Sequence, residues 1–435
     1  MKKIFLSFLL ALLCTSLFSC NSSQLKQEND DTFYEEIGAL NHVNRANLKN
    51  SSYVNLDQEI LDRINAFANR LSEEYLDVFD LEDNFSISPI SVYFAFSCLY
   101  PTVEDDVREE LTEKLGITYV DAMYTKTLME QLYLDEEEGG KIYLTNSIWI
   151  QEGLKTDKTI LDNLASNYYC HAFSADFFGN NVEANKNIRE FIKKNTQGLI
   201  DQDFDISSDT FYALINTLYL NDNWLDNGLD LALEGNKFHN YNGDIVESSF
   251  LVGKYFYGMP IQTDTYQMFY TKTSSLKVSI VLPNKEVDVK RLYTSELLTK
   301  MQNAEYNGEV VDVTAAGEIY KRYYTSLIFP AFEANSDQDI IAVIQNMGVN
   351  KIFAPYYSKL VDDLVVIDKI QHVTKLDVNK KGIEGAAVTI IANKATSTDP
   401  SQNVYQELLI DRPFIYMIEY RGVNLFTGIC YNIKK

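Results

Sequence analysis

Residues 378–400 read VNKKGIEGAAVTIIANKATSTDP. Between Gly385 and Asn393 the residues are small or β-branched, with no charge, no aromatic ring and no proline. That is the chemistry of a strand. From Asn393 to Pro400 the composition turns to Asn, Lys, Ser, Thr, Asp and Pro, which is that of an exposed loop. Side chains of an extended chain alternate between two faces. Glu384 and Lys394 share one face; Ile383, Gly385, Ala387, Thr389, Ile391, Asn393 and Ala395 share the other, which carries no charge. The segment is fit to lie inside a sheet, yet it leads into a loop tip.

The flanking sequence supplies the sheet. FIYMIEYRGVNLFTGICY (414–431) reads as two strands about Gly422, and KIYLTNSIWIQEG (141–153) as a strand ending in a turn. TFYALINTLYLNDNW (210–224) and SSLKVSIVLPNK (274–285) are long apolar strands of the buried kind. Helices interleave with them. Ile60, Ile64, Phe67, Leu71 and Leu76 recur at helical spacing and predict a helix over 57–78. Pro89 with its flanking serines starts a second helix after a short strand, and Gly116 stops a third over 107–115. NKNIREFIKKNTQGLI (185–200) is a helix with Gly198 near its end, and DQDIIAVIQNMGV (337–349) reads as one more. The order is not a strict βαβ alternation, so the fold class is α+β around large, mostly antiparallel sheets.

The chain has 435 residues, 46% hydrophobic and 23% charged, without an internal linker after about residue 55, so one large domain is expected. The formal charge is -24; removal of residues 1–19, which hold Lys2 and Lys3 and no acid, makes it -26. So acidic a surface repels nucleic acid and anionic headgroups, and no basic stripe offsets it. MKKIFLSFLLALLCTSLFSC (1–20) has two lysines, an apolar run and small residues before Cys20, which is a secretory signal rather than a membrane span. Its end, LFSC, resembles the lipobox of bacterial lipoproteins, with Phe18 a departure from the usual small residue. The expected organisation is a signal peptide over 1–19, a lipidated polar tether over 20–55 starting at Cys20, and a folded domain over 56–435. That implies secretion across an inner membrane and attachment to the outer membrane, facing the periplasm or the cell surface, with the lipid as the sole membrane contact. Past Cys20 only Cys98, Cys170 and Cys430 remain, an odd number without metal-type spacing, so free buried thiols are expected.

Enzyme constellations are missing. No HExxH, GxSxG elbow, P-loop or EF-hand loop occurs, and the four histidines (His42, His171, His239 and His372) stand apart from other ligand types. No metal or cofactor is expected. A Ser-His-Asp site assembled from distant residues is the one enzymatic alternative left open.

Five separated stretches occur in an order that resembles the serpins. NFSISPISV (84–92) resembles the signature that opens the family's second helix, TNSIWIQEGLK (145–155) its following strand, and IKKNTQGLI (192–200) its helix-to-strand passage. INTLYLNDNW (215–224) resembles the strand that runs from Asn216 to Trp224, and DRPFIYMIEYRGVNLFTG (411–428) the C-terminal pattern. The resemblance covers about Asp57 to Ile433. It implies the serpin fold, an exposed reactive-centre loop in the opening stretch 378–400, and inhibition of a serine or cysteine protease by a single-use covalent acyl complex, without turnover and as a monomer. By resemblance Gly382, Ile383, Glu384, Gly385, Ala386, Ala387, Val388 and Thr389 form the hinge; Ser88, Ser91, Asn216 and His372 the polar shutter; and Trp224 the breach where insertion begins. The family's count from the hinge glycine puts the reactive bond at Thr396–Ser397, with Lys394 as the alternative reactive residue. Three departures stand out: Leu220–Asp222 in place of Phe-Lys-Gly, Lys380 in place of a glutamate, and Ile383 in place of a small hydroxyl residue.

The implied mechanism answers the opening puzzle. Once cut, the loop slides into the main sheet as a new strand. Ordering costs ~1–2 kcal/mol per residue, and each ladder hydrogen bond returns ~0.5–1.5 kcal/mol. Those nearly cancel, so burial of Ile383, Ala387, Thr389 and Ile391 decides the outcome together with relief of strain. About 14 residues at ~3.3 Å each carry the acylated protease ~45 Å. A non-inhibitory carrier on the same fold is the second reading.

Overall fold

The computed structural model describes residues 31–41, 43, 48, 52–136, 140–224, 230–314, 317–367, 369–383 and 403–434. The expected signal peptide over 1–19, Cys20 and the residues Glu384, Gly385, Ala386, Ala387, Val388, Thr389, Lys394, Thr396 and Ser397 lie outside the described residues.

Helix α1 (Gln58–Phe79) is capped by Asp57, whose carboxylate accepts from the Ile60 N–H, and it ends at Asp80 in a left-handed conformation. Helix α2 (Pro89–Leu99) has Pro at its first turn and is buried on almost every side. A helix apolar all round belongs to a core, not a surface. Helix α3 (Asn181–Asn195) is amphipathic, burying Ile188, Phe191 and Ile192. Gly116 ends the helix Asp105–Leu115 in the left-handed region, as its sequence position predicts.

The strands that position the site are β1 (Ala39–Asn41), β2 (Lys141–Gln151), β3 (Cys170–Ala175), β4 (Tyr212–Asn223), β5 (Ile245–Tyr257), β6 (Gly317–Pro330), β7 (Phe332–Asp339), β8 (Gln371–Val378), β9 (Gly382–Ile383) and β10 (Asn403–Leu409). The largest sheet runs β1-β3-β2-β4-β9-β8-β7, with Leu134–Asp135 added beside β2. All its pairs are antiparallel except β2 with β3. A second sheet holds Phe85–Ile87, Val423–Cys430, Phe414–Tyr420, Lys277–Pro283, Tyr266–Lys272 and Ile261–Gln262 in that order. The third joins Glu309–Thr314, β6, β5 and Asp230–His239, with β10 parallel to β6.

The large sheet is covered on both faces. Leu214, Leu218 and Leu220 of β4 share one apolar cluster with α1 and α2. Ala213 and Ile215, of opposite parity, share another with Ile188, Phe191 and Ile192 of α3. Alternation along one strand thus feeds two cores. The result is the expected α+β arrangement of mixed, mostly antiparallel sheets with surrounding helices.

Two expectations need correction. The helix expected over 337–349 is confined to Ile341–Asn346. Ser336, Asp337 and Gln338 instead pair with Thr374, Val373 and His372, and Asp339 then accepts from the Ile341 N–H at 3.1 Å, capping the helix there. Pairing with β8 outweighs the local helical pattern. The second concerns the polar tether. Residues 31–36 are helical, Tyr34 and Ile37 are buried, and β1 pairs with β3. Tyr34 lies 4.7 Å from the His171 ring and 6.4 Å from that of Phe191, so an apolar groove beside α3 captures this stretch. The folded body begins by residue 31, not near 56.

Cys98, Cys170 and Cys430 are free and buried, as their number suggests. Among the described residues no helix is long and apolar enough to cross a membrane, and no cluster of acids, histidines and cysteines is placed to hold a metal.

Candidate functional site

Strands β2 and β4 pair over ten residues, and β7 and β8 over eight. Between β4 and β8 the pairing is of another kind. Among the described residues they meet only through β9, a strand of two residues antiparallel to both. Gly382 stands opposite Asn223, Ile383 opposite Asp222 on one side and opposite Val378 on the other.

A tight turn makes this possible. Asn379 and Gly382 exchange backbone hydrogen bonds at 2.9 and 3.3 Å, the Asn379 side chain accepts from the Lys381 N–H at 2.9 Å, and Lys380 and Lys381 point to solvent. Glycine is required at 382 for space: a Cβ there would collide with the backbone carbonyl of Asp222. Ile383 is fully buried, so the uncharged face of the hinge enters the sheet facing the core.

Trp224 holds the turn from the end of β4. Its indole N–H donates to the Asn379 carbonyl at 2.7 Å and its backbone N–H to the Lys381 carbonyl at 3.2 Å, while the ring meets Phe329 edge-on at 5.9 Å. Asp222 lies directly below. Its carboxylate accepts from the Thr273 hydroxyl and from the Ser275 N–H at 2.7 Å, while Oδ1 is buried with no partner among the described residues. Burial pushes this carboxyl above the usual carboxylate range, against those hydrogen bonds.

Further down the sheet lies the polar cluster. His372 on β8 is buried, and its Nε2 accepts from the Ser88 N–H at 3.1 Å; the Ser88 and Ser91 hydroxyls share a hydrogen bond of 2.9 Å. Burial lowers the His372 pKa from 6.5 to about 4, so the ring is neutral near pH 7 and its acceptor nitrogen is free of a proton. The structure therefore brings Ser88, Ser91 and His372 together. Asn216 is separate: its amide donates to Asn146 on β2, and its Oδ1 is buried and unpaired among the described residues. Asn216 and His372 face each other across the line that β9 begins.

Sequence reading missed three participants. Asp222 was visible only as a departure from Phe-Lys-Gly. Asn146, inside TNSIWIQEGLK, gave no sign that its amide would hold Asn216. Asn379 looked like any turn residue, yet its carbonyl anchors Trp224.

Comparison with known proteins bears on the family and the fold. The family described as "Serpin (serine protease inhibitor)" matches residues 62–433. An uncharacterized serpin-like protein of Thermococcus kodakarensis is 24% identical over 387 residues, covering 87% of each chain. Among solved structures, the thermophilic serpin tengpin in its native state superposes with a TM-score of 0.73 at 19% identity, covering 88% of this chain and 96% of its own. Thyroxine-binding globulin in complex with thyroxine gives 0.70 at 18% identity, covering 87% and 100%. With the family model matched over residues 62–433, this chain belongs to the serpin family.

Proposed function

We propose that the protein is a protease inhibitor that acts once, by inserting its cleaved loop between β4 and β8 while the protease is still acylated. The observation that carries this reading is β9: two residues of the hinge already lie antiparallel between strands that do not otherwise pair among the described residues. Continuing that register is informative. Each further loop residue steps one back along β4, and seven steps from Gly382 set Thr389 opposite Asn216. On the other side, six steps from Ile383 set the same Thr389 opposite His372. A threonine hydroxyl both donates and accepts, so it suits the unpaired Asn216 Oδ1 on one flank and the imidazole on the other. Ala387 would stand opposite Leu218 and Ile391 opposite Leu214, both of the main core.

The bait in this proposal is Thr396–Ser397. Ala395 and Thr396 suit a protease with a small pocket, and Lys394 suits a trypsin-like one. The protein performs no turnover; one protease is consumed per inhibitor. Incubation with a panel of serine and cysteine proteases, followed by denaturing electrophoresis and mass mapping of the cut, tests it. The expected result is a covalent complex with cleavage at or near Thr396. Cleavage by every protease without a trapped complex would leave a carrier on the same fold as the better reading.

Cys20 is proposed as a lipid anchor that holds the inhibitor to the outer membrane after export. Cys20→Ala should move the protein from the membrane fraction to the soluble fraction. Equal partitioning of the two would end the anchoring proposal and leave the inhibitor proposal standing.

A further inference from the structure

Asp222 stands in one of the stretches that depart from the family pattern, and its pocket is unusual for a carboxylate. It shares the core face of β4 with Leu218 and Leu220, is fully buried, and pairs with Ile383 of β9. Both of its hydrogen bonds end on one oxygen. Oδ2 accepts from the Thr273 hydroxyl and from the Ser275 N–H at 2.7 Å, and Oδ1 has no partner among the described residues. Gly140 lies against that bare oxygen: a Cβ there would stand 2.8 Å from Oδ1 and collide with the Leu134 side chain. Two donors on one oxygen and none on the other suit a neutral acid, which carries its proton on Oδ1. The ionised form leaves charge on an oxygen without a donor, which costs far more than an unpaired hydroxyl.

Among the described residues no cation pairs with Asp222. Lys277 is engaged with Glu419 at 3.0 Å, Lys272 lies over the Tyr270 ring, and Lys380 and Lys381 are exposed on the turn above. Lys141 on β2 and Asp377 on β8 belong to the opposite face of the sheet. Glu136, beside Gly140, adds negative charge: after burial, it and Asp222 push the Tyr420 hydroxyl up, against Arg421. What the carboxyl holds is the end of β4. Trp224 bridges to Thr273, the Ser274 N–H donates to the Asn223 carbonyl at 2.8 Å, and the Thr273 hydroxyl accepts from the Leu276 N–H at 2.8 Å. Asp222 thus ties the turn 273–276 to the strand that flanks β9 and ends at Trp224, which grips the hinge turn.

We infer that Asp222 is a proton-controlled latch on this end of the gap: neutral, it keeps β4 closed on β9; ionised, it favours a parted state in which water reaches Oδ1. It is a positioning residue, acting through Ile383 and Trp224. Its consequence for trapping rests on the inhibitor reading: insertion starts more readily as pH rises. Burial holds the closed-state carboxyl above the usual carboxylate range, so parting the strands releases a proton. The open fraction therefore grows with pH from the ordinary carboxylate value up to the raised one, and then levels.

Amide hydrogen exchange tests the latch without a protease. It is read by mass spectrometry over residues 217–224 and 376–383, between about pH 5 and 8, for wild type, Asp222→Asn and Thr273→Val. Taking each rate relative to Asp222→Asn at the same pH cancels the intrinsic pH dependence of exchange. Asparagine copies the neutral acid, so the ratio for wild type should be near one at the acid end and several-fold higher at the alkaline end. Thr273→Val removes a donor that favours the carboxylate, so its rise should come at higher pH. A ratio constant over pH would overturn the latch. So would a rise that Thr273→Val leaves in place, and that variant decides the matter if Asp222→Asn fails to fold. In parallel, the fraction of protease trapped by wild type relative to Asp222→Asn should grow over the same range. Exchange that follows pH beside trapping that does not would overturn the link to insertion. A wild type that traps no protease at any pH would overturn the inhibitor reading, while the exchange profile still decides the latch.

Discussion

His372 can accept from the Ser88 N–H only while its Nε2 is unprotonated, and burial keeps it so by lowering its pKa from 6.5 to about 4. A depressed folded-state pKa contributes stability that is present above the unfolded value and is lost as pH falls through the folded one. The unfolding free energy from urea titration should therefore decline as pH drops from 6.5 toward about 4, by on the order of 3 kcal/mol at full effect. His372→Gln keeps an acceptor and removes the titration, so its profile should be flatter in that window. An identical decline in the variant would place the loss elsewhere. Asp222 has the opposite sign: its carboxyl is raised by burial, so its contribution is present at low pH and fades as pH rises through its shifted value. Asp222→Asn should therefore gain stability near pH 7 and leave the His372 window unchanged. Of these two, only His372 was singled out in the sequence, through the family resemblance that makes it part of the polar shutter. Asp222 was not, because its meaning lies in Thr273 and Ser275, some fifty residues away.

At the scale of the element, β9 turns parity into a test. Continued through the proposed insertion, its register would set Ala387 opposite Leu218, in the main core, and Ala386 opposite Tyr219, on the other face. There Tyr219 packs on Tyr143, whose hydroxyl donates to Asp135 at 2.7 Å. An arginine at 387 must enter an apolar core unpaired, at a cost of several kcal/mol; one at 386 can reach toward Asp135 and solvent. Ala387→Arg should fold, be cut and release active protease, whereas Ala386→Arg should retain most of the trapping, read as the fraction of protease in covalent complex. Equal trapping by both would sink the register. The strands themselves were readable, since alternation and apolar runs mark them. The boundary of the helix at Ile341 was not, because pairing of Ser336 to Asp339 with β8 decides it. Neither was β1: Tyr34 and Ile37 lie among acids without a period, and only the groove beside α3 gives them a place.

For the whole molecule, the proposed insertion would make the parted sheet a store of work that a cut can release. A nick near Thr396 should raise the melting temperature by on the order of 10 °C, since an inserted strand would add apolar burial and relieve the parted sheet while its backbone terms nearly cancel. Ordinary domains gain nothing from a cut loop. Calorimetry before and after a mapped cleavage decides it, and an unchanged midpoint would argue against insertion. The early start of the folded body has its own consequence. With residue 31 already docked beside α3, eleven peptide steps separate the body from Cys20, so the proposed lipid anchor would be a leash of at most ~40 Å. An inhibitor held so short would patrol a shell about one protein diameter deep. It would intercept proteases arriving at the membrane and ignore those in the open medium. Each captured enzyme would stay where it was caught, a dead weight on the surface it had come to digest.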